Sequence, residues 1–388
     1  MATLPSLFRT FLSNIRPTNQ NRSDYIDGHT TLRNRLRDDD VIEEFYITDF
    51  LQGSYKRSTA LKPVGEETSD VDIILVTNHS TDADPENAME KCEPFLEEHY
   101  TDRWEVNARS YHIDQESVEL DLVLTTAPGE AVQDAINSED SLGDVRVDEA
   151  LELNQSRDVL DDLDYSIGMS SDDWKIDPLK IPDRRLAIWE ETHPLYINAW
   201  TIDKNERTNS HYVNVVKAVK WWRRTQVDEP ERPKGYPLEH IVGTNCPDEI
   251  ESVAEGIVRT FEAIENNYDA HAAMNITPTL RDRGIPSNNV LARLDGDDFS
   301  SFYDEVTQAA ALARDAFAEK DPSDSRDLWY SLLGDEFPAY DGEGGSDSDD
   351  GDDDDNGGDR ASRLRSGSNT TSVSDERFAV STARAYDR

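Results

Sequence analysis

The sequence predicts an α+β protein with two lobes, a mixed-sheet N-terminal lobe and a helical C-terminal lobe. Short apolar runs occur in the first half, at 70–77, which is rich in β-branched residues, and at 117–125, and such runs are typical of buried strands. From about residue 193 onwards, apolar residues recur at helical spacing instead. We therefore place the lobes at residues 1–190 and 191–340, followed by an acidic tail at 341–388.

The N-terminal lobe is expected to begin with two helices, at 5–16 and at 23–38, the second with a Ser-Asp start. Phe45, Ile47 and Phe50 then alternate at roughly period two and lead into Gly53, which predicts a strand that enters a turn. The remaining elements predicted for this lobe are a strand at 70–77, a helix at 84–99, adjacent strands at 104–113 and 117–125, and an irregular crossover at 127–192.

The C-terminal lobe is expected to be entirely helical. Its predicted helical segments are 211–225, 236–243, 248–266, 288–292, 298–319 and 326–333. After Pro338 the chain becomes low-complexity Asp, Gly and Ser, which cannot bury enough apolar area to offset the entropy of ordering. We expect residues 341–388 to form a disordered, solvated extension, with a role in partner binding as the alternative.

Acidic residues number 82 and basic residues 39, which gives a net charge of −43. Acid spread over a folded chain is tolerable in molar salt, where the Debye length is about 3 Å, and the low lysine content also favours a halophilic protein. The alternative is a mesophilic protein that avoids nucleic acid. No long basic stripe is visible, so an extensive surface for duplex nucleic acid is not expected. A small, metal-chelated nucleotide is the easier ligand.

Cysteine content and hydropathy exclude several classes of protein. Cys92 and Cys246 belong to no C-x-x-C pair, so neither a zinc knuckle nor a disulfide framework is indicated. No segment approaches 18 apolar residues, and the start of the chain does not resemble a signal peptide. We expect a cytoplasmic protein that makes no use of a membrane.

The chemistry is concentrated in residues 53–76. Gly53 and Ser54, at a turn between strand and helix, would let the backbone approach a triphosphate closely. Asp70 and Asp72 lie two residues apart on a strand, so both carboxylates project to one face. Neighbouring carboxylates repel unless a cation lies between them, and Mg²⁺ prefers carboxylate and phosphate oxygens.

A third carboxylate on the neighbouring strand would complete a site for two metal ions. The run SVELDLVL offers Glu119 and Asp121. Asp121 is preferred because Leu120 and Leu122 flank it, and Glu119 is then a supporting or solvated residue. An isolated D-x-D pattern is weak in so acidic a chain. The alternative, a surface strand of a halophilic protein, does not explain an aspartate embedded in an apolar run.

These motifs carry a resemblance to a known superfamily. GSYKRSTA, DVDIILV and VELDLVL together resemble the DNA-polymerase-β-like nucleotidyltransferases. More narrowly, they are similar to the bacterial and archaeal relatives of cyclic GMP-AMP synthase and oligoadenylate synthase, the cyclic-oligonucleotide synthases of anti-phage signalling. VVKAVKWWRR, YPLEHIVG, IPSNNVLARL and LWYSLLGDEFP resemble the helical lobe of that family, so the likeness covers about residues 5–340. The spacer at 55–69 is longer than is usual in the family.

The resemblance implies a nucleotide cleft between two lobes and assigns roles to residues of this chain. Gly53 and Ser54 would contact the triphosphate, while Asp70, Asp72 and Asp121 would hold two Mg²⁺ ions, with Mn²⁺ as a possible substitute.

Candidate phosphate contacts follow the turn and lie on the helical lobe. Lys220 resembles a family lysine that neutralises phosphate, and Lys217, one turn earlier, is its substitute candidate. Lys56 and Arg57 are further candidates, for which surface charge is the alternative.

Three other side chains have a structural and a functional interpretation. Trp221 and Trp222 could stack on a base, but their helical spacing favours core packing for at least one of them. His240 is interpreted as a structural residue, because metal-assisted nucleotidyl transfer needs no histidine.

The leading functional hypothesis is synthesis of a cyclic di- or trinucleotide from nucleoside triphosphates, with ATP as the favoured substrate and GTP or UTP as alternatives. The 3′-hydroxyl of one nucleotide would attack the α-phosphate of the next and release pyrophosphate. The product would act as a second messenger on a downstream effector in antiviral defence. The alternatives are an RNA-tailing or tRNA-end nucleotidyltransferase and a nucleotide-binding sensor without turnover.

Overall fold

The computed structural model describes residues 3–65, 70–115, 117–126, 178–225 and 230–339. The predicted irregular crossover therefore lies mostly outside the described residues, and so does the predicted disordered tail. Within these ranges the N-terminal half contains a mixed sheet and the C-terminal half is helical, which confirms the predicted fold class.

Among the described residues the sheet has seven strands, in the order β1-β2-β5-β4-β3, with β6 on the end of β5 and β7 on β6. β2 and β5 are parallel, and the other pairs are antiparallel. The strands are β1 (Tyr46–Gln52), β2 (Asp70–Thr77), β3 (Trp104–Val106), β4 (Tyr111–Gln115), β5 (Val118–Thr126), β6 (Leu179–Asp183) and β7 (Ile188–Thr192). β2 and β5 are buried along nearly their whole length, as their apolar runs predict.

Helices flank the sheet and build the second lobe. The N-terminal ones are α1 (Pro5–Ile15), α2 (Asn19–Asp38), α3 (Asp40–Glu43), α4 (Gly53–Lys56), α5 (Pro85–Glu90) and α6 (Glu93–Tyr100). The C-terminal ones are α7 (Pro194–Arg207), α8 (Tyr212–Thr225), α9 (Gly235–Asn245), α10 (Val253–Ala273), α11 (Gly296–Ala318) and α12 (Pro322–Leu333).

Two helices differ from the prediction because of local capping. α2 begins four residues before Ser23, because Thr18 and Asn21 form a reciprocal capping box. The helix predicted at 84–99 is two helices: Asp84 caps α5, and α6 starts anew with Pro94 in its first turn. Proline lacks the N–H needed in a helix interior but is tolerated in a first turn, which explains the break.

The strand predicted at 104–113 is wrong in extent, because it folds back on itself. The backbone N–H of Asn107 donates to the carbonyl of Ser110 at 2.8 Å, and this turn separates β3 from β4. A second hairpin, β6–β7, occupies the end of the stretch predicted to be irregular. Its turn is closed by Asp183, whose carboxylate accepts from the N–H groups of Arg185 and Leu186.

The helical lobe has one apolar core, and α1 belongs to it. Phe8, Phe11 and Ile15 pack in the same buried cluster as Val216 and Trp329. The first helix of the chain therefore buries its apolar face against the C-terminal lobe rather than against the sheet.

Two helical segments of this lobe also differ from the prediction. α10 begins at Val253 rather than 248, because the Ser252 side chain caps it. The helix predicted at 288–292 is wrong. Asn289 forms a bridge with Arg281, and its side chain accepts from the N–H groups of Leu280 and Leu291, so the segment is a set of turns. None of the helices in the described ranges is both long and apolar enough to cross a membrane.

Candidate active site

The end of β1 brings the backbone against the first carboxylates. Gln52 pairs with Asp72 across the β1–β2 ladder, and Gly53 follows with a φ of +81°. A Cβ at position 53 would lie 1.7 Å from Oδ2 of Asp72. Glycine is therefore required at position 53 for two reasons: it adopts the left-handed backbone conformation, and it leaves room for the Asp72 carboxylate. Ser54 follows in the first turn of α4.

The parallel pairing of β2 and β5 brings four acidic residues onto one face of the sheet. Asp72 lies beside Asp121, and Asp70 lies beside Glu119. Asp72 and Asp121 are buried, at 4 % and 3 % exposure, whereas Asp70 at the edge is exposed. Because residues two apart on a strand share a face, this register aligns the three predicted carboxylates.

His112 is a neighbour of this group that the sequence analysis did not identify. It pairs with Asp121 across the β4–β5 ladder, and its Nδ1 lies 3.3 Å from Oδ1 of Asp121. The hydrogen bond to Asp121 raises the pKa of His112, although partial burial opposes the shift. The hairpin turn at 107–110 was the signal that could have identified His112, because this turn decides the register of β4.

A cleft of about 210 Å³ lies between the carboxylates and the helical lobe. Ser54, Asp70 and Asp72 line one wall. The opposite wall is formed by Lys220, Arg232, Pro233, Lys234, Gly235, Tyr236, Pro237, Glu239, Val290, Leu291, Arg293 and Leu294. Four of these side chains are cations, in a chain whose net charge is −43. The cleft thus faces carboxylates on the sheet with basic and apolar groups of the helical lobe.

A buried network joins the two lobes beneath the cleft. The Glu239 carboxylate accepts from Nε of Arg57 at 3.1 Å, from Nζ of Lys220 at 2.9 Å and from the Thr59 hydroxyl at 2.9 Å. Lys220 also donates to the carbonyl of Thr59. Arg57 is therefore buried against Glu239 instead of lining the cleft, whereas Lys220 reaches the cleft and is fixed there by Glu239. This places Arg57 and Glu239 as groups that position Lys220 and the Gly53 turn.

The Glu239 network is expected to contribute stability that acid removes. Burial alone would raise the pKa of Glu239, but Arg57 and Lys220 outweigh burial and lower it from an ordinary 4.5 to about 2. A carboxyl whose pKa is lower in the folded state stabilises the folded protein fully when the pH is above its pKa in the unfolded state. This stabilisation is lost as the pH falls through the pKa of the folded state. The loss is therefore expected between about pH 4.5 and pH 2.

Glu239→Gln tests this at neutral pH. It leaves the Arg57 guanidinium buried without its counter-charge, and we expect a loss of about 3–5 kcal/mol in the free energy of unfolding. The difference from wild type should shrink as the pH falls towards 2. Glu262→Gln is the control, because Glu262 pairs with Arg314 at the surface, where a pair contributes about 0–1 kcal/mol. Equal effects of the two variants in denaturant titrations would contradict the buried-network interpretation.

Lys56 is only partly buried and does not line the cleft, whereas Trp221, Trp222 and His240 lie in the core. Trp221 and Trp222 are both buried: the indole N–H of Trp221 donates to the carbonyl of Leu333, and Trp222 packs edge-on against Phe261. His240 is also buried, and burial lowers its pKa to about 2, so it is a neutral packed side chain. Neither tryptophan lines the cleft described above.

A second set of metal-ligand side chains lies before β1 rather than at its end. Asp39, Glu98 and His99 bring ligand atoms within 4.8 Å of one another. The Asp39 carboxylate accepts from the N–H groups of Val41 and Ile42 and lies 3.1 Å from Nε2 of His99. These contacts are those of a helix cap, so they account for the cluster structurally.

The chain is similar to known proteins over most of its length. Residues 1–127 match the family described as the Second Messenger Oligonucleotide or Dinucleotide Synthetase domain. The chain is 38 % identical over 360 residues to a cyclic AMP-AMP-GMP synthase of Enterobacter hormaechei, with 87 % of this chain and 93 % of the relative covered. It is 30 % identical over 341 residues to a cyclic AMP-AMP-AMP synthase of an Acinetobacter species, with 87 % and 86 % covered.

Solved structures share the fold at low sequence identity. The CD-NTase CdnG of Bradyrhizobium diazoefficiens, solved in complex with GTP, has a TM-score of 0.61 at 12 % identity, with 85 % of this chain and 94 % of that chain covered. CdnC of Escherichia coli MS115-1, solved in a complex with HORMA-deltaN, has a TM-score of 0.58 at 14 % identity, with 87 % and 99 % covered. These structures share the fold, and the two synthases of 38 % and 30 % identity show that the chain belongs to the cyclic-oligonucleotide synthases, the second-messenger branch of the polymerase-β-like nucleotidyltransferases.

Proposed function

We propose that this enzyme joins nucleoside triphosphates into a cyclic trinucleotide that contains adenosine and releases pyrophosphate at each step. The observation that carries the proposal is the opposition of charges across the cleft. Carboxylates on the sheet face Lys220, Arg232, Lys234 and Arg293, which suits a triphosphate held between metal-binding oxygens and cations. The adenine preference and the ring of three are supported by the names of the relatives.

The donor set suits a hard divalent cation. Asp72 and Asp121 are buried side by side in register, with Asp70 at the edge of the same face, and carboxylates in such proximity are stabilised by a cation of the Mg²⁺ class. Bound by these three residues, two Mg²⁺ or Mn²⁺ ions would supply charge neutralisation for the triphosphate and activation of the attacking hydroxyl.

The protein's own groups position the reactants. The turn at Gly53 and Ser54 offers backbone N–H groups and a hydroxyl to the phosphates, and Lys220, fixed by Glu239, offers an ammonium from the opposite wall. Tyr236, Val290, Leu291 and Leu294 give the cleft an apolar part that suits a base. Together these contacts would align the 3′-hydroxyl of one nucleotide with the α-phosphate of the next, and such alignment is the main contribution that a protein makes to this reaction.

Incubation of the full chain with ATP, GTP, UTP and Mg²⁺ tests the proposal. Mass spectrometry of the phosphatase-treated products should identify a cyclic trinucleotide containing adenosine, and omission of ATP should abolish it. A linear product would contradict cyclisation. If RNA and labelled nucleoside triphosphates are supplied together, transfer of the label to the RNA would favour the RNA-tailing or tRNA-end alternative. Nucleotide binding without pyrophosphate release would favour the sensor.

We propose that the enzyme works in the cytoplasm and that its product acts on a downstream effector as part of antiviral defence.

We also propose that the protein is adapted to high salt. A net charge of −43 repels itself in the folded state, and the repulsion is screened as ionic strength rises. We expect the midpoint of thermal unfolding to rise by about 5–10 °C between 0.2 M and 2 M KCl, because each kcal/mol added to the free energy of unfolding raises the midpoint by about 2–4 °C. Differential scanning calorimetry measures this shift. A midpoint that is constant or falls with KCl would contradict halophilic adaptation.

A further inference from the structure

A group of cations lies behind Lys220, on the side of α8 that faces α1 and α2. Its members are Arg16, Arg22, Lys217 and Arg224, and we call them the rear basic cluster. Arg16 follows α1, Arg22 lies in the first turns of α2, and Lys217 and Arg224 lie on α8. Neither Arg16, Arg22 nor Lys217 lines the cleft.

Hydrogen bonds within the fold fix where the Arg16 and Arg224 side chains point. Nη2 of Arg16 donates to Oδ1 of Asn214 at 3.0 Å, one turn before Lys217 on the same helix. Nη1 of Arg224 donates to the carbonyl of Lys62, whose own N–H donates to the carbonyl of Ile15 at the end of α1. α1 and α8 therefore meet at this point, and the charge of Arg22, on α2, acts on both Arg16 and Lys217.

Lys217, together with the Nε groups of Arg16 and Arg22, is buried without matching negative charge in the described part of the chain. Lys217 is 1 % exposed, and the described part of the chain provides no hydrogen-bond acceptor for its ammonium. The Nε groups of Arg16 and Arg22 are buried and also have no acceptor there. Burial, followed by the charges of Arg16, Arg22 and Lys220, lowers the pKa of Lys217. Burial and the charge of Arg22 likewise lower the pKa of Arg16, to about 10.

Such an arrangement is anomalous in this chain. Acidic residues outnumber basic ones by 82 to 39, yet no carboxylate of the described residues is among the groups that shift the pKa of Arg16 or Lys217. Buried donors without acceptors are costly, and like charges in contact add to that cost. A bound anion with several oxygens would satisfy both the donors and the charge.

We propose that the rear basic cluster is a second anion site, which binds a small phosphate-bearing ligand between α1, α2 and α8. Three or four cations suit one phosphate or pyrophosphate group and are too few for an extended nucleic acid. Because Lys217 lies one turn from Lys220, an anion held here also lowers the repulsion on the lysine that lines the cleft.

Thermal unfolding of the full chain in titrations of inorganic phosphate, pyrophosphate and ATP tests the site. The titrations are run without divalent cation, at a fixed ionic strength set with KCl. A ligand that binds the folded state raises the midpoint in proportion to ln(1 + [L]/Kd). Wild type and Arg9→Gln, a matched loss of an exposed arginine on α1, should respond equally. Arg22→Gln and Lys217→Met should require at least about tenfold more ligand for the same rise.

Two further measurements keep the proposal falsifiable. Lys217→Met should unfold at a higher temperature than wild type in the absence of phosphate, because it removes an unmatched buried charge. The phosphate response of wild type should persist when the cleft is saturated with a non-hydrolysable ATP analogue and Mg²⁺, which separates this site from the active site. The ligand with the lowest midpoint concentration identifies the source of the phosphate. Equal responses of all four proteins, or a response abolished by the analogue, would overturn the proposal.

Discussion

Asp72→Asn is expected to abolish product formation while leaving the fold intact. Asp72 is buried beside Asp121 in the β2–β5 register and contacts the Gly53 turn, so it connects the metal-binding face with the phosphate-binding turn. Loss of one metal-binding charge removes several kcal/mol of transition-state stabilisation, which is about a 10³-fold loss in kcat at 1.36 kcal/mol for each factor of ten. Release of pyrophosphate from ATP and GTP measures the effect.

Asp114→Asn is the matched control for this variant. Asp114 is an exposed aspartate on β4, opposite Glu119 in the same sheet, and its replacement should leave kcat within about twofold of wild type. Asp121→Asn should resemble Asp72→Asn, whereas Glu119→Gln should have a smaller effect because Glu119 lies beside the exposed Asp70. If Asp72→Asn kept more than about a tenth of wild-type kcat, the carboxylate face would not be the catalytic centre.

The sheet and its carboxylates were predictable because their signals are local. The run at 70–77 is apolar except at its start, so both its burial and the position of Asp70 and Asp72 follow from the period of a strand. Asp121 could be placed because an aspartate within an apolar run needs a partner. The parallel pairing that brings Asp72 and Asp121 together is a tertiary fact, which the spacing made plausible but could not fix.

The opposite wall of the cleft was not predictable, because its contacts join residues far apart in the chain. Arg57 and Glu239 are separated by 182 positions, and no periodicity relates them. Arg293 lies in a segment whose apolar spacing imitates a helix, and the side chain of Asn289 decides otherwise by binding two backbone N–H groups. Turn chemistry of this kind competes with helix formation, and its outcome depends on the neighbours that the fold supplies.

Gly53→Ala is expected to be as damaging as the loss of Asp72, although the added group is one methyl. Alanine at a φ of +81° is strained, at a cost of about 1–3 kcal/mol. Its Cβ would also lie 1.7 Å from Oδ2 and 2.7 Å from Cγ of Asp72, so either the turn or the carboxylate must move. A displacement of about 1 Å in a positioning group can cost about a hundredfold in rate.

Gly65→Ala separates strain from collision. Gly65 has a similar φ of +67°, and a Cβ there meets no atom of the described residues within 4 Å. The two variants should therefore lose similar stability from backbone strain in denaturant titrations, whereas only Gly53→Ala should also lose kcat, by at least about a hundredfold. Similar kcat values for the two variants would mean that the close approach of Gly53 to Asp72 is not used in catalysis. A loss of kcat confined to Gly53→Ala would instead show that the turn and the carboxylate act as one unit, because the exposed Gly65 shares the strained backbone but not the contact with Asp72.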